Sequence, residues 1–156
     1  MSPLEKEIIQ RKIAVMIDNL KALKPIKDMA REEYIADLYK RKATERLLQE
    51  LIEAAIDINI HIIAAAGHPI PDDYYESFIR MGELKIISAD IAERLAPSAG
   101  LRDRLVHEYD KLEHSMVLTA VKTAEELYPK YIRDVNNYIS RETQTLASSE
   151  NYSYSA

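Results

Sequence analysis

The side chains best suited to chemistry are concentrated between residues 100 and 110. Arg102 is followed after four residues by His107, and one further residue separates His107 from Tyr109. Apolar residues recur between them at helical spacing, which predicts a helix. On a straight helix Arg102 and His107 lie about 140° apart around the axis and about 7.5 Å apart along it. Tyr109 would point away from His107, so the helix must loosen near Glu108 if both serve one site.

An arginine near a histidine, without cysteine or metal-ligand spacing, indicates phosphate chemistry. His107 can act as a general base or general acid, because histidine changes charge close to neutral pH. Arg102 can hold a phosphate through two parallel hydrogen bonds and offset charge in the transition state. RNA carries its own nucleophile, the 2′-hydroxyl. This pair of residues could therefore cleave RNA without a metal ion, leaving a 2′,3′-cyclic phosphate and a 5′-hydroxyl.

Asp103 is the residue most suited to support His107. It lies four residues earlier, on the same helical face, where its carboxylate can orient the imidazole ring. One histidine does not easily serve as both acid and base on opposite sides of a phosphate, and a homodimer that joins two motifs would solve this. The structural alternative is a histidine at a helix end and a surface Arg102, each paired with a carboxylate.

The stretch resembles the Arg-x4-His-x-Tyr motif of the HepT toxins, which belong to the HEPN group of metal-independent ribonucleases. Three segments follow that family's order and spacing, namely Leu47–Ala65, Tyr74–Leu84 and Ile91–Tyr109. The resemblance covers most of residues 4–140. One departure is Asp103, where the family usually has asparagine. It keeps a hydrogen-bond acceptor but adds a negative charge beside the expected phosphate site.

This resemblance implies the toxin of a toxin–antitoxin system, acting as an endoribonuclease on an RNA substrate. It implies a homodimer whose cleft lies near the small residues Ser98, Ala99 and Gly100. It also implies a cognate MNT-type nucleotidyltransferase, the antitoxin, which transfers AMP to Tyr109. The phosphodiester of this AMP group would then bind Arg102 in place of the phosphate of RNA. No cofactor is implied.

Two alternatives stay open. Tyr109 can simply pack its ring over the helix end with its hydroxyl in solvent. The whole chain can be a non-catalytic helical module in which Arg102 and His107 bind an anionic nucleotide or help to dock a nucleotidyltransferase. The formal charge of −5 favours this second alternative. RNA cleavage that persists in a chelator and depends on His107 would exclude it.

The elements that must position the motif are predicted to form an all-α fold, an antiparallel bundle of about five helices. Predicted helices in the first half of the chain run from Pro3 to Pro25, from Met29 to about Lys40 and from about Ala43 to Ala66. A shorter helix is predicted from after Asp72 to about Met81. A further helix runs from after Ser88 through the motif, with a kink at Pro97, and the last one begins at Ser115 and has a kink at Pro129. A join or bend is expected near Tyr39–Lys42. The bundle occupies residues 1–142, and the small polar residues 143–156 are expected to form a flexible tail.

Helix ends are assigned to residues that can satisfy free backbone groups. The assigned N-caps are Ser2 (with Glu5 in a capping box), Asp28, Asp72, Ser88 and Ser115. Gly67 is expected to end the long third helix as its C-cap.

Two groups outside the motif have both a structural and a functional interpretation. Glu53, Asp57 and His61 lie one above another on the long helix, as a metal or acid–base stripe or as a polar edge. The polar edge is favoured because no Glu-x-x-His pair occurs in the chain. Tyr74 and Tyr75 are assigned to the apolar face of a short helix in preference to a platform for stacking bases.

Composition narrows the class of protein. The chain has 156 residues, 47% of them hydrophobic and 30% charged, which suits one globular domain. It has no cysteine, so disulfides and thiolate metal sites are excluded, and its four histidines show no metal-ligand spacing. There is no signal-like N-terminus and no apolar run of membrane-spanning length. We therefore expect a cytoplasmic protein with no metal site and no membrane partner.

Overall fold

The computed structural model describes residues 4–154, with side chains described for residues 4–143. Its helices are α1 (Lys6–Lys27), α2 (Arg31–Ala36), α3 (Leu38–Ala65), α4 (Tyr74–Glu83), α5 (Ala89–Leu95), α6 (Ser98–His107) and α7 (His114–Tyr154), with a 3₁₀ turn at Tyr109–Lys111. No strand occurs among the described residues, and the predicted all-α fold is confirmed. Over the same range, no helix is both long enough and apolar enough to cross a membrane.

The body of the molecule is built on α1, α3 and α7, the three longest helices. α1 and α3 are antiparallel, since Lys12 pairs with Asp57 whereas Asn19, further along α1, donates to the carbonyl of Leu47. α6 lies against α3, and α4 packs against α3, α5 and α6. The motif helix is therefore carried on the long central helix α3.

Stripes of apolar residues, spaced three and four positions apart along each long helix, form the core. The buried members are Ile9, Ile13, Met16, Leu20 and Leu23 on α1, Leu48, Leu51, Ala55, Ile58 and Ile62 on α3, and Val117, Val121, Ala124, Tyr128, Tyr131 and Val135 on α7. Burial of a large apolar side chain stabilises a fold by about 1.5–3 kcal/mol. The stripes therefore fix the relative rotation of the three long helices, and with it the face of α3 that receives α6.

Between α1 and α3, the helix ends do not fall at the proline and aspartate that were predicted to mark them. Pro25 does not end α1, because the helix continues to Lys27 and buries Ile26 in its last turn. The prediction of Asp28 as an N-cap is also wrong, since the residue before α2 is Ala30. The chain breaks at Asp37, before the predicted join, and the Asp37 carboxylate caps α3 by accepting from the Lys40 N–H over 3.0 Å.

Three further caps test the local predictions. Gly67 has a φ of 84° and follows the end of α3 as predicted, with the His68 N–H donating to the carbonyl of Ile63 over 3.1 Å. Ser88 caps α5, also as predicted, accepting from Ile91 N–H over 3.2 Å. α4 is capped by Asp73, one residue after the predicted Asp72.

The second half of the chain has more breaks than expected. Pro97 separates α5 and α6, so the predicted kinked motif helix is two short helices. Ser115 does not cap α7, because the helix begins at His114; the Ser115 hydroxyl instead accepts from Arg31 Nε over 2.7 Å. Pro129 lies inside α7. The breaks at Pro97 and Asp37 divide the described part of the chain into more helices than the expected five.

The boundary predicted near residue 142 is not marked by a helix end. α7 continues to Tyr154 through a segment without glycine or proline. The side chains of residues 144–156 lie outside the described part of the chain, and the flexibility of residues 143–156 stays a prediction. Ser2 also lies outside the described residues, and α1 starts later than predicted, at Lys6.

Candidate active site

α6 carries the motif and ends inside it. Leu105 anchors the helix in the core at 5% exposure. The helix stops at His107, after which Glu108 has a φ of −131° and a ψ of 32° while its N–H still donates to the Arg104 carbonyl over 2.9 Å. Tyr109 then begins the 3₁₀ turn. The predicted loosening of the helix near Glu108 is therefore confirmed, and Tyr109 is released from the helical position opposite His107.

The guanidinium of Arg102 is held by three side chains. Its Nε donates to Glu53 Oε1 over 3.2 Å and its Nη1 to Asp103 Oδ1 over 3.2 Å. Its central carbon lies 5.5 Å from the centroid of the Tyr74 ring. Partial burial alone would lower the pKa of Arg102, but the hydrogen bonds to Asp103 and Glu53 outweigh it and raise that pKa. Arg102 therefore stays charged, in a defined orientation, with 22% of its side chain exposed.

A buried chain of hydrogen bonds fixes the position of Tyr74. The Tyr131 hydroxyl donates to Asn59 Oδ1 over 2.6 Å, and Asn59 Nδ2 donates to the Ser77 hydroxyl over 3.1 Å. Ser77 in turn donates to the main-chain carbonyl of Tyr74 over 2.7 Å. Linked hydrogen bonds in a low-dielectric interior strengthen one another. This chain connects α7, α3 and the first turn of α4, the turn whose Tyr74 ring lies against Arg102.

His107, by contrast, is exposed at the last position of α6. Among the side chains described, no hydrogen bond joins it to Asp103, whose carboxylate accepts from Arg102 instead. The predicted role of Asp103 in orienting the imidazole ring stays a prediction. In this arrangement the His107 ring is open to solvent.

Tyr109 contacts a different part of α3 from Arg102. Its side chain is 61% exposed, and Lys42 Nζ lies 5.7 Å from the centroid of its ring. Lys42 precedes Glu53, the partner of Arg102, by eleven residues of continuous helix. That separation spans about 16 Å along a helix axis. Within one chain, the cation beside Tyr109 is therefore Lys42 and not Arg102.

Glu53 belongs to a polar edge, in agreement with the favoured interpretation of the stripe on α3. Glu53 bonds to Arg102, Asp57 accepts from a lysine of α1 over 2.9 Å, and His61 Nε2 accepts from a backbone N–H just before α1 over 3.1 Å. Within the described part of the chain, no three acidic or histidine side chains are grouped so that they could hold a metal ion. Sequence reasoning missed that Glu53 joins the site, since its partner is 49 residues away.

The assignment of Tyr74 and Tyr75 to the apolar face of α4 is wrong, because neither is buried. Phe78 is fully buried, but Tyr74 is 40% and Tyr75 47% exposed. Both tyrosines lie in the first turn of α4, directly after its N-cap Asp73. Tyr74 and Lys42 are thus site residues that the spacing of the motif did not reveal.

A family model described as Ribonuclease HepT-like matches residues 16–139. This chain belongs to the HepT-like ribonuclease family. A tRNA nuclease HepT from Aphanizomenon flos-aquae is 36% identical to it over 139 residues, which cover 89% of this chain and 95% of the relative. The resemblance drawn from the motif and its flanking segments is therefore confirmed.

Solved structures agree with this membership. A tri-AMPylated HEPN toxin from Shewanella oneidensis, in complex with MNT antitoxin, is similar to the HepT-like chain with a TM-score of 0.76 and 25% identity, over 85% of this chain and 99% of that chain. A toxin–antitoxin complex with AMP-PNP has a TM-score of 0.77 at 24% identity over the same shares, which shows the common fold alone.

An apolar groove of about 550 Å³ lies beside the motif helix of this HepT-like chain. Gly100 and Leu101 of α6 line it, with Met116 and Ala120 of α7 opposite. A Cβ added to Gly100 would meet no atom within 4 Å. Gly100 therefore does not lie closely against a neighbouring helix of its own chain. The face it presents is open.

Proposed function

We propose that this HepT-like chain is a toxin of a toxin–antitoxin system and a cytoplasmic endoribonuclease that cleaves RNA without a metal ion. Its membership in a ribonuclease family over residues 16–139 supports the general activity. The observation that carries the specific proposal is the pairing, on one short helix, of a charged and oriented Arg102 with an exposed His107. These are the two groups that metal-independent cleavage requires.

The cleavage step uses the 2′-hydroxyl next to the scissile phosphate. His107 accepts the hydroxyl proton while the 2′-oxygen bonds to phosphorus and the bond from phosphorus to the 5′-oxygen breaks. A proton delivered to that 5′-oxygen completes a 5′-hydroxyl end, and the other product carries a 2′,3′-cyclic phosphate. Proton transfer by a positioned side chain typically contributes about 10²–10⁴-fold to the rate.

Arg102 binds the phosphate by exchanging partners. Its carboxylate contacts with Glu53 and Asp103 are single, partly exposed hydrogen bonds, and such ion pairs contribute little stability each. A phosphate offers two parallel hydrogen bonds to the same guanidinium. Tyr74 keeps the guanidinium plane oriented throughout the exchange. Asp103 supports the site by holding Arg102 in the free enzyme.

A homodimer completes the site. One chain supplies one motif histidine, whereas the reaction needs a base and an acid on opposite sides of the phosphate. The open groove beside Gly100 supports a second copy on this face, because an apolar surface with a glycine at its rim allows close approach of another helix. Two motifs then face one cleft, and RNA binds locally despite the net charge of −5.

Tyr109 is the proposed regulatory position. An MNT-type nucleotidyltransferase partner transfers AMP from ATP to its hydroxyl. The tri-AMPylated relative in complex with MNT antitoxin supports this, and so does the exposure of the Tyr109 side chain, which makes the hydroxyl accessible to a second protein. The adduct lies two residues from His107 and blocks the approach of RNA.

A second function is supported by one observation. Arg102 is already neutralised by Glu53 and Asp103, as in a helical module that docks a nucleotidyltransferase or an anionic nucleotide without cleaving RNA. The two functions differ in whether His107 is needed for any chemistry.

The deciding experiment is cleavage of total RNA by the purified full chain in excess EDTA. Wild type is expected to cleave, and His107→Ala to lose about 10²-fold or more of the rate. His68→Ala, a change at an exposed loop histidine, serves as the matched control. Equal cleavage by wild type and His107→Ala contradicts the mechanism, and no cleavage by wild type carrying an unmodified Tyr109 supports the docking module.

A further inference from the structure

Lys42 and Tyr109 form a contact that the cleavage mechanism does not use. Lys42 Nζ lies 5.7 Å from the centroid of the Tyr109 ring, within the range of about 6 Å for a cation–π interaction. The Lys42 side chain is 59% exposed and Tyr109 is 61% exposed. The contact therefore joins the 3₁₀ turn that begins at Tyr109 to the beginning of α3, while both side chains remain accessible.

Lys42 is bound only loosely by acidic side chains. Its Nζ is 4.0 Å from Glu45 Oε2, at the outer limit of an ion pair. Arg102 is held by two carboxylates at 3.2 Å each. Of these two cations on or beside the motif, Lys42 is the one that can accept a new anion without first giving up a close partner.

We propose that Lys42 binds the phosphate of an AMP group attached to Tyr109, an inference that rests on the modification described under the proposed function. In that modification the Tyr109 oxygen bonds to the α-phosphorus of ATP, the bond from that phosphorus to the bridging oxygen of the β-phosphate breaks, and pyrophosphate leaves. The phenol proton passes to solvent. The new phosphodiester carries one negative charge at the edge of the tyrosine ring.

The geometry lets Lys42 reach this charge without moving the backbone. Its ammonium already lies over the ring, and the flexible four-carbon stem can swing it from the face to the edge, where the phosphate is attached. The gain is a charge-assisted hydrogen bond in place of a cation–π contact. The long contact with Glu45 does not need to break for this rotation to begin.

This arrangement changes how the modification silences the site. An adduct held by Lys42 is fixed near the start of α3, about 16 Å along the helix from the Glu53 that holds Arg102. It therefore covers the His107 end of the motif and leaves the guanidinium of Arg102 in its own contacts. Inhibition follows from blocking the proton-transfer group and not from neutralising the phosphate-binding group.

The test compares wild type with Lys42→Met, Lys42→Arg and the control Lys40→Met, a lysine on the opposite side of the same helix turn. Each full chain is co-expressed with an MNT-type nucleotidyltransferase, and AMP on the Tyr109 peptide is confirmed by mass spectrometry. Release of AMP by a nonspecific phosphodiesterase is then timed, and the melting temperature is measured with and without AMP.

Lys42→Met is expected to release AMP about twofold to fivefold faster than wild type, the size of one exposed ion pair. Lys42→Arg and Lys40→Met are expected to match wild type. Any increase in melting temperature caused by AMP should also be smaller in Lys42→Met, and only in that variant. A purely structural role of Lys42 would instead change the melting temperature of modified and unmodified chains equally. Equal release from wild type and Lys42→Met would overturn the role of Lys42, and absence of AMP from wild-type Tyr109 would overturn the modification itself.

Discussion

The two ends of the motif, Arg102 and His107–Tyr109, differ in how firmly they are held. At one end Arg102 is bound by Glu53 and Asp103, lies over Tyr74, and exposes 22% of its side chain. At the other end His107 is exposed without a hydrogen bond to any described side chain, and Tyr109 is 61% exposed. Only the Arg102 end is connected to the buried polar chain that crosses the core.

This difference shows how one short motif can combine a fixed phosphate-binding group with groups that must be accessible from outside. A phosphate-binding cation works best when it is fixed in advance, because no binding energy is then lost in ordering it. A group that transfers protons and a tyrosine that receives AMP must both be reached from outside. Because α6 ends at His107, the fixed cation Arg102 lies within the helix, whereas the accessible His107 and Tyr109 lie at its end and beyond it.

The largest expected effect comes from Arg102→Lys. The change keeps the charge but removes the planar fork and its stacking on Tyr74, which a lysine does not replace. We expect RNA cleavage to fall by about 10²–10³-fold, as for loss of one preorganised transition-state donor. Single-turnover cleavage rates measure this, with Arg46→Lys, an exposed arginine of α3, as control. A cleavage rate within threefold of wild type would show that Arg102 contributes only its positive charge.

A smaller effect is expected when the buried support of that end is cut. Tyr131→Phe leaves Asn59 Oδ1 without its donor inside the core, at a cost of about 1–3 kcal/mol in the free energy of unfolding. Urea unfolding measures the loss, and Tyr75→Phe, at a 47% exposed position, is the control. The difference between the Arg102 end and the Tyr109 end of the motif is supported if RNA cleavage falls while AMP transfer to Tyr109 does not. It is contradicted if Tyr131→Phe is as stable as wild type.

The smallest effect is expected for Glu53→Gln. The amide keeps a hydrogen-bond acceptor for Arg102 but removes the negative charge that competes with RNA phosphate. In a His107→Ala background, where RNA stays intact, affinity should rise about twofold to fivefold at low salt. Fluorescence anisotropy with a labelled RNA measures it. Glu50→Gln, at an exposed ion pair on the same helix, is the control; an equal gain there would mean that the effect is only one of net charge.

The fold follows from the sequence more fully than the site does. The 3-4 spacing of apolar residues identifies the faces of α1, α3 and α7, because burying those residues is what stabilises the bundle. Errors are local, as at Pro25, where a buried Ile26 favours two more residues of helix, and at Asp73, where two adjacent aspartates could each cap α4.

The motif residues are also visible in the sequence, since Arg102, His107 and Tyr109 lie close together along the chain. Their partners are not. Glu53 is 49 residues from Arg102, and Lys42 meets Tyr109 only because α6 packs on α3. Spacing along one helix carries no information about which residue of another helix is opposite. The contacts that distinguish the two ends of the motif are therefore visible only in the packed structure.

The most direct test of the mechanism is whether cleavage needs the 2′-hydroxyl of the RNA itself. A cleaved site is mapped, and an oligonucleotide is made with a single 2′-deoxy nucleotide on the 5′ side of that bond. In excess EDTA, cleavage at that bond should stop, while the matching all-RNA oligonucleotide is cut to a 2′,3′-cyclic phosphate. Cleavage of the 2′-deoxy bond at the same rate would contradict the account, because His107 would then be activating a different nucleophile.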